Sequence, residues 1–384
     1  MMDFSLTPEQ EALVQSVGDF ARKRVAPLVR EYDREEYVPA ELMAELAALG
    51  VLGGVVPVEY GGSGMDHLTA ALVIEEVSKV DHALAAFLSA PSGLVGAGLL
   101  TYGSEEQKQK YLAPLARGEC VASAAVTEPG SGTDVAGMRT SVRRDGDYYV
   151  INGEKTWISN LVDARWFLTF AQSDPAKGRA GISAFVIDRD TPGLTARAVK
   201  NKTGFRPIPS GQVILDNVRV PAENLVGKEG EGFRVSMCSV ENGRLFVAAR
   251  AVGLMQACLD ESLDYARTRE TFGTQIGHHQ LIQAKIADMA VALESARLLT
   301  YRLAWLKDQG RRVRVESSMA KLAASDSLMR SATEAAQIFG AYVASDEYPI
   351  SRHFRDAKIF QIVEGTNEIH RVLIAETLLG YRKS

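Results

Sequence analysis

The sequence predicts a mainly α protein with a β middle domain: an N-terminal helical domain, a central barrel-like or sandwich β domain, and a C-terminal four-helix bundle. Three observations predict this. Apolar residues recur at helical spacing over residues 1–117 and again over 228–384. Residues 118–227 instead hold short apolar runs separated by turn residues. Strands and helices nowhere alternate one for one, so a parallel βαβ sheet does not fit.

The first helix is signalled by Thr7-Pro8-Glu9-Gln10: a cap, a proline at the first helical position, and a glutamine placed to complete a capping box. Leu13, Val14, Val17, Phe20 and Ala21 then carry the helical period. Further helices are predicted over 39–49, 66–80, 82–101 and 104–116, broken by Gly-rich stretches such as "EYGGSGMD". In the middle domain, "CVASAAV", "YYVINGEKTWIS", "ARWFLTFA", "GISAFVID" and "GQVILDNVRVP" read as strands, with a hairpin turn expected at Asn152-Gly153. Helical period returns over 231–269, 279–309, 314–340, 349–362 and 368–380. The small residues of "AKLAASDSLMRSATEAAQIFG" suit a bundle interior or a subunit interface.

A chain of 384 residues can bury two or three sizeable cores, and 46% hydrophobic with 24% charged residues is ordinary for a soluble globular protein. The net charge of −5 argues against a nucleic-acid or membrane-surface partner. Cys120, Cys238 and Cys258 form neither a CxxC pair nor an even disulfide set, which fits a reducing, cytoplasmic setting. The opening "MMDFSLTPEQEALVQ" lacks the basic and apolar regions of a secretory signal. Histidine spacing gives no HExxH, so no metal is expected. Neither G-x-G-x-x-G at a strand-to-helix turn nor GxxxxGK[ST] is present, which excludes the usual Rossmann and P-loop nucleotide sites.

Several segments could carry chemistry. In "IVEGTNEIHR", residues 362–371, Glu364 stands beside two bulky apolar residues and is followed by Gly365, Thr366 and Asn367. The segment reads either as a helix start, with Thr366 or Asn367 as cap, or as a base held in an apolar pocket. "VTEPGSGTD" places Gly130, Gly132, Thr127, Ser131 and Thr133 after a strand, as a polar turn or as a surface for phosphate and a heteroaromatic ring. Trp157 in "TWIS" is a core aromatic or the wall of a flat cofactor. Glu241 and Arg244 in "ENGR" read alone as a surface ion pair. Arg267 and Arg269 in "RTRETFG" suit either solvent or a pyrophosphate, whereas "GRRVR" reads as a solvated face.

These segments occur in one order, and the chain resembles the acyl-CoA dehydrogenase family from end to end. The resemblance rests on "EYGGSGM", "VTEPGSGTDVAG", "INGEKTWIS", "DTPGL", "NVRVPAENLVG", "ENGRLFVAARAVGLMQACLD", "RTRETFG" and "EYPISRHFRDAKIFQIVEGTNEIHR". It implies an FAD enzyme that removes hydrogens from the α and β carbons of an acyl-CoA thioester. Such an enzyme is expected as a homotetramer passing electrons to electron-transferring flavoprotein. By the resemblance Glu364 is the α-proton base, with Val363 and Gly365 beside the substrate. Val126, Thr127, Trp157 and Ser159 match contacts to the flavin ring. Gly132 and Thr133 match pyrophosphate and CoA contacts, and Thr366 and Glu368 match FAD contacts after the base. Arg269, Phe272, Gln280, Gln337 and Gly340 match positions reaching the adenine half, across a subunit interface. Glu241 and Arg244 match residues at the CoA entrance.

The family's second position for the base falls on Gly243, which leaves Glu364. Departures are also visible. "GAYVA" (340–344) replaces a Gly-Gly-x-Gly turn. Val363 stands where tyrosine is common, and Pro91 and Gly93 alter the pocket pattern, so a branched, cyclic or otherwise unusual acyl group is expected. Ala85 matches the position of an arginine for a distal carboxylate, so a dicarboxylic ester is not expected. Alternatives on the same fold are a desaturase, reductase or oxidase acting on a CoA or carrier-protein thioester. A non-enzymatic flavin and nucleic-acid-binding protein of this type would carry a basic extra domain, and none is expected after "LLGYRKS".

Overall fold

A computed structural model describes residues 5–381. The first four residues of "MMDFSLTPEQEALVQ" and the last three of "LLGYRKS" lie outside the described residues. α1 (Pro8–Phe20) has the predicted capping box: Thr7 Oγ1 accepts from the Gln10 N–H, and Gln10 Oε1 from the Thr7 N–H. A π-turn, α2 (Val29–Glu35), α3 (Ala40–Ala48), α4 (His67–Ser78), α5 (His82–Ser89) and α6 (Gly96–Tyr102) follow. After α7 (Glu105–Gln107) and a second π-turn, α8 (Ala113–Ala116) closes the series. The single helix expected over 82–101 is therefore two. Pro91 and Gly93 fall in the break, and a Cβ on Gly96 would lie 1.8 Å from Pro91 O, too close for any other residue.

The middle of the chain folds into β1 (Val121–Ala125), β2 (Ser141–Asp145), β3 (Tyr148–Ser159), β4 (Ala164–Gln172), β5 (Ile182–Asp188), β6 (Leu194–Ala198), β7 (Ser210–Pro221) and β8 (Leu225–Val226). They run in the order β6-β7-β3-β2-β4-β5-β8, with β1 paired in parallel to β4. One residue pair, Ser141 with Gln172, joins β2 to β4. The two halves face each other as in a sandwich, Ile151, Val213 and Val218 packing in one core with Phe167, Phe185 and Ile187. The opposite face of β4 buries Trp166, Leu168 and Phe170 in a second core that includes Leu99 and Val235. Burial on both faces explains why "ARWFLTFA" is continuously apolar.

The hairpin turn is not at Asn152-Gly153. It lies seven residues earlier, where Asp145 pairs with Tyr148 and Gly146 takes φ 61°. The two central residues are Gly146-Asp147, and glycine at the first central position is as good a hairpin signal as "Asn-Gly". Gly153 instead marks a register shift against β7, and a Cβ on it would lie 2.5 Å from Thr140 Oγ1.

The C-terminal region begins with α9 (Gly232–Thr268), followed by the two-residue strands β9 (Glu270–Thr271) and β10 (Thr274–Gln275). α10 (Gln280–Asp308) and α11 (Arg314–Phe339) pack with α9 as a bundle, and α12 (Ile350–Phe360) and α13 (Asn367–Leu378) pack against α11. α4 and α5 also lie on α9, so the N-terminal helices and the bundle share one core, including Val73, Leu84, Val252 and Leu328.

Candidate active site

Glu364 occupies the turn between α12 and α13, at φ 53°, followed by Gly365 at φ 99°. Two successive positive φ values turn the chain sharply and point the carboxylate inward. Thr366 is the N-cap of α13, so the helix start exists and the base candidate stands two residues before it. The turn is fastened to α11. Lys321 Nζ donates to Gly365 O and to Asn367 Oδ1, both at 2.8 Å. Asn367 Nδ2 donates to Asp326 Oδ1 at 2.6 Å, and Ser325 Oγ donates to Asn367 Oδ1 at 3.0 Å. Burial pushes the Lys321 ammonium down to about 7.

Against the Glu364 carboxylate lies Gly243 of α9, where a Cβ would come within 2.3 Å of Oε2. Glu364 Oε2 is sealed from solvent and has no hydrogen-bond partner. Burial raises its pKa from 4.5 to about 7, and the positive charges of Arg244, Arg250 and Lys321 only partly oppose the rise. Arg244 is buried and its Nε donates to Glu364 O at 3.3 Å. No ion pair joins it to Glu241; "ENGR" is not a surface pair, because the arginine is drawn under the base turn. Val363 packs against the main core, and Ile362 is exposed.

The second half of the site lies at the sheet. Thr156 N–H donates to Thr127 O at 2.8 Å, and Ser123 Oγ donates to Ser159 O at 2.7 Å. These bonds bring Val126 and Thr127 beside Trp157 and Ser159. The loop is fixed from beneath by Glu128, which accepts from Lys155 Nζ at 2.8 Å and from the N–H groups of Arg139 and Thr140 at 2.6 and 2.9 Å. Trp157 is 62% exposed at φ 57°, so it is not a core aromatic; Trp166, 1% exposed, fills that role. A Cβ on Gly130 or Gly132 would meet nothing within 4 Å, and Thr133 is exposed. An open face of backbone, hydroxyls and a presented indole fits a flat cofactor with a phosphate tail.

The remaining predicted positions form a separate group. Arg269 follows α9 and its guanidinium lies 5.9 Å from the Tyr342 ring, at a pocket of about 320 Å³ that includes Tyr265 and Phe339. Phe272 is 98% exposed, and Gln280, Gln337 and Gly340 are exposed as well. On one chain these residues do not converge with Trp157. Arg267 pairs with Asp264 in solvent. In "GAYVA", Gly340 alone takes the positive φ (61°), and Tyr342 packs against Tyr348.

The Lys321–Asn367–Asp326 fastening was missed in the sequence. Its signal was a lysine inside the buried stripe of α11, between Ala320 and Ala324. Among the described residues no cluster could hold a metal ion and no helix is long and apolar enough to cross a membrane.

Comparison with known proteins decides the family. Residues 7–119, 123–218 and 230–379 match the N-terminal, middle and C-terminal domains of acyl-CoA dehydrogenase. The chain belongs to the acyl-CoA dehydrogenase family. It is 40% identical to a short-chain-specific acyl-CoA dehydrogenase of Megasphaera elsdenii, covering 98% of this chain and all of the relative. A chain in the structure described as electron transferring flavoprotein of Acidaminococcus fermentans superposes with TM-score 0.95 at 40% identity, covering 98% of this chain and 100% of that one. A glutaryl-CoA dehydrogenase from Mycobacterium smegmatis in complex with FADH2 gives TM-score 0.93 at 31% identity, with 98% and 95% covered. The acyl-CoA dehydrogenase fold thus accounts for helical domains on either side of a sheet.

Proposed function

We propose that this chain is an FAD-dependent acyl-CoA dehydrogenase. It converts an acyl-CoA thioester to the trans-2-enoyl ester and passes electrons to an electron-transferring flavoprotein. The observation that carries the reading is the Glu364 carboxylate, its Oε2 sealed and without a partner and its pKa raised to about 7. A carboxylate with that pKa holds a proton strongly enough to abstract one, yet is substantially ionised at neutral pH.

FAD, when bound, supplies the acceptor for the β-hydride. Glu364 takes the α-proton, and the N–H of Glu364 is the donor for the thioester oxygen as negative charge develops on it. Val363, Gly365, Glu241 and Arg244 bound the substrate side. Val126, Thr127, Trp157 and Ser159 hold the ring, Gly132 and Thr133 the pyrophosphate and CoA, and Thr366 and Glu368 further FAD groups. Arg269, Phe272, Gln280, Gln337 and Gly340 serve the adenine half in a neighbouring subunit of a homotetramer. A side chain as apolar and open as Phe272 supports that division.

The test is anaerobic flavin bleaching over a panel of acyl-CoA esters, run beside Glu364→Gln. Bleaching by at least one ester, lost in the variant with FAD retained, is expected. A protein that takes up no FAD, or a variant reduced as fast as the parent, refutes the reading. Steady peroxide release in air would instead favour an oxidase.

A further inference from the structure

Residues 361–367 leave α12, turn through Glu364 and enter α13, and the two ends of that turn meet: the Asn367 N–H donates to Gln361 O at 3.0 Å. Between them Glu364 and Gly365 both stand at positive φ, which a non-glycine residue keeps only where its surroundings impose it. α11 supplies most of those surroundings. Asp326 Oδ1 accepts from Gln361 Nε2 at 2.8 Å on one arm of the turn and from Asn367 Nδ2 at 2.6 Å on the other. Asp326 Oδ2 pairs with Arg371, further along α13. Lys321, five residues earlier on α11, holds the middle, its Nζ donating to Gly365 O and to Asn367 Oδ1, both at 2.8 Å. Ser325 Oγ reaches the same Asn367 oxygen at 3.0 Å.

Lys321 is fully buried, and among the described residues no carboxylate forms an ion pair with it. Its ammonium is given instead to two neutral oxygens of the turn. A buried cation satisfied in one geometry resists any shift of that geometry, because moving Gly365 O would strand the donor. The other sides of the turn are closed by contact. Gly243 of α9 lies against the carboxylate, and a Cβ on Gly365 would lie 3.2 Å from Nε2 of the buried His370 ring. Of the polar contacts that other helices make to the backbone oxygens of Glu364 and Gly365, the Lys321 bond is the shorter, and the Arg244 bond, at 3.3 Å, the longer.

We propose that Lys321 is a positioning residue for proton abstraction, braced by Asp326: together they set where the Glu364 carboxylate stands relative to the α-carbon of the ester. The proposal rests on the reading of Glu364 as base. Lys321 acts through the turn and not on the ester. Without its donor Gly365 can shift and carry the carboxylate with it, and a misplacement of about 1 Å costs up to about 10²-fold in rate.

The experiment measures flavin reduction by stopped flow in the FAD-loaded full chain, with the acyl-CoA ester that bleaches the flavin fastest, deuterated at the α or at the β carbon. Lys321→Met fills the same space with an unbranched apolar side chain and removes the donor. It should be reduced about 10- to 100-fold more slowly, with FAD content and ester affinity within about twofold of the parent. The α-deuterium isotope effect should rise, because proton transfer to a displaced base then limits the rate, and the β effect should not. Lys321→Gln keeps a donor and should recover part of the loss. Reduction of folded Lys321→Met within about twofold of the parent overturns the proposal. So does slower reduction with an unchanged α effect, which leaves Lys321 a structural residue only. Where neither Lys321 variant folds, Asp326→Asn carries the test from a partly exposed side chain: a raised α effect supports the proposal and a parental one overturns it. The base itself is tested separately by Glu364→Gln. Normal reduction there refutes the base reading, whereas lost reduction there beside a parental Lys321→Met refutes this proposal alone.

Discussion

Two glutamates, the buried Glu128 and the half-buried Glu364 with its sealed Oε2, lie in the same protein beside cations and end in opposite states. Burial pushes the Glu128 carboxyl up, but Lys155 and the N–H groups of Arg139 and Thr140 outweigh it, and its pKa falls below the usual range. Glu364 has three cations in its surroundings, yet Oε2 accepts no hydrogen bond and its pKa rises to about 7. The difference is contact rather than charge count. Direct donors stabilise an anion, whereas cations turned elsewhere, like Lys321 to Gly365 O and Arg244 to Glu364 O, only temper the cost of burial. One carboxylate holds a loop in shape; the other is left ready for a proton.

The contrast can be broken most sharply by Glu364→Gln. Stopped-flow flavin reduction should slow by about 10³-fold or more with FAD content unchanged, while Glu128→Gln keeps reduction wherever it folds. Gly243→Ala comes next. Its methyl would occupy the space of Oε2, so displacement of the carboxylate should cost about 10²-fold in the same measurement.

A third test concerns stability. Glu128→Gln leaves Lys155 buried without its anion and should destabilise by about 3–5 kcal/mol in denaturant titration. Glu364→Gln should not destabilise and, at pH 8, should stabilise by up to about 3 kcal/mol. The signs follow from the shifts. The folded pKa of Glu364 is raised, so the native state binds more protons and stability declines as pH rises from about 4.5 to about 7. For Glu128 the folded pKa is depressed, so its contribution is present above the unfolded pKa and lost on acidification. The smallest effect is in rate against pH. Flavin reduction in the parent protein should fall about tenfold per pH unit below about 7 and level off above it. A flat profile from pH 5 to 8 would mean that Glu364 is ionised throughout.

Helix ends were legible where a cap fixed them, as Thr7 with Gln10 did for α1. The strand at "ARWFLTFA" was legible because both its faces are buried. The turn at Asn152-Gly153 was misread because two dipeptides of equal local preference competed, and only pairing with β7 decides between them. At the site, the apolar residues and glycine around Glu364 left a helix start and a base both open, and only the resemblance of the whole segment to the family singled the carboxylate out. The orientation of Arg244 was not legible, since a helix position tells which face a side chain leaves by but not what it reaches 120 residues away. Lys321 was hidden for the reverse reason: a lysine in a buried stripe has meaning only once its acceptors at Gly365 and Asn367 are in place.

The space shared by Gly243 and Glu364 has a consequence for how such a site can change over time. A glutamate introduced at 243 alone would meet the carboxylate at 364, and, on the proposed reading, a glycine introduced at 364 alone would leave no base. Each single step is harmful, and only the pair together could carry the base across to the other wall. On that reading the two positions are bound by sign epistasis, because a Cβ at 243 would lie 2.3 Å from Oε2 and any side chain there must displace the carboxylate.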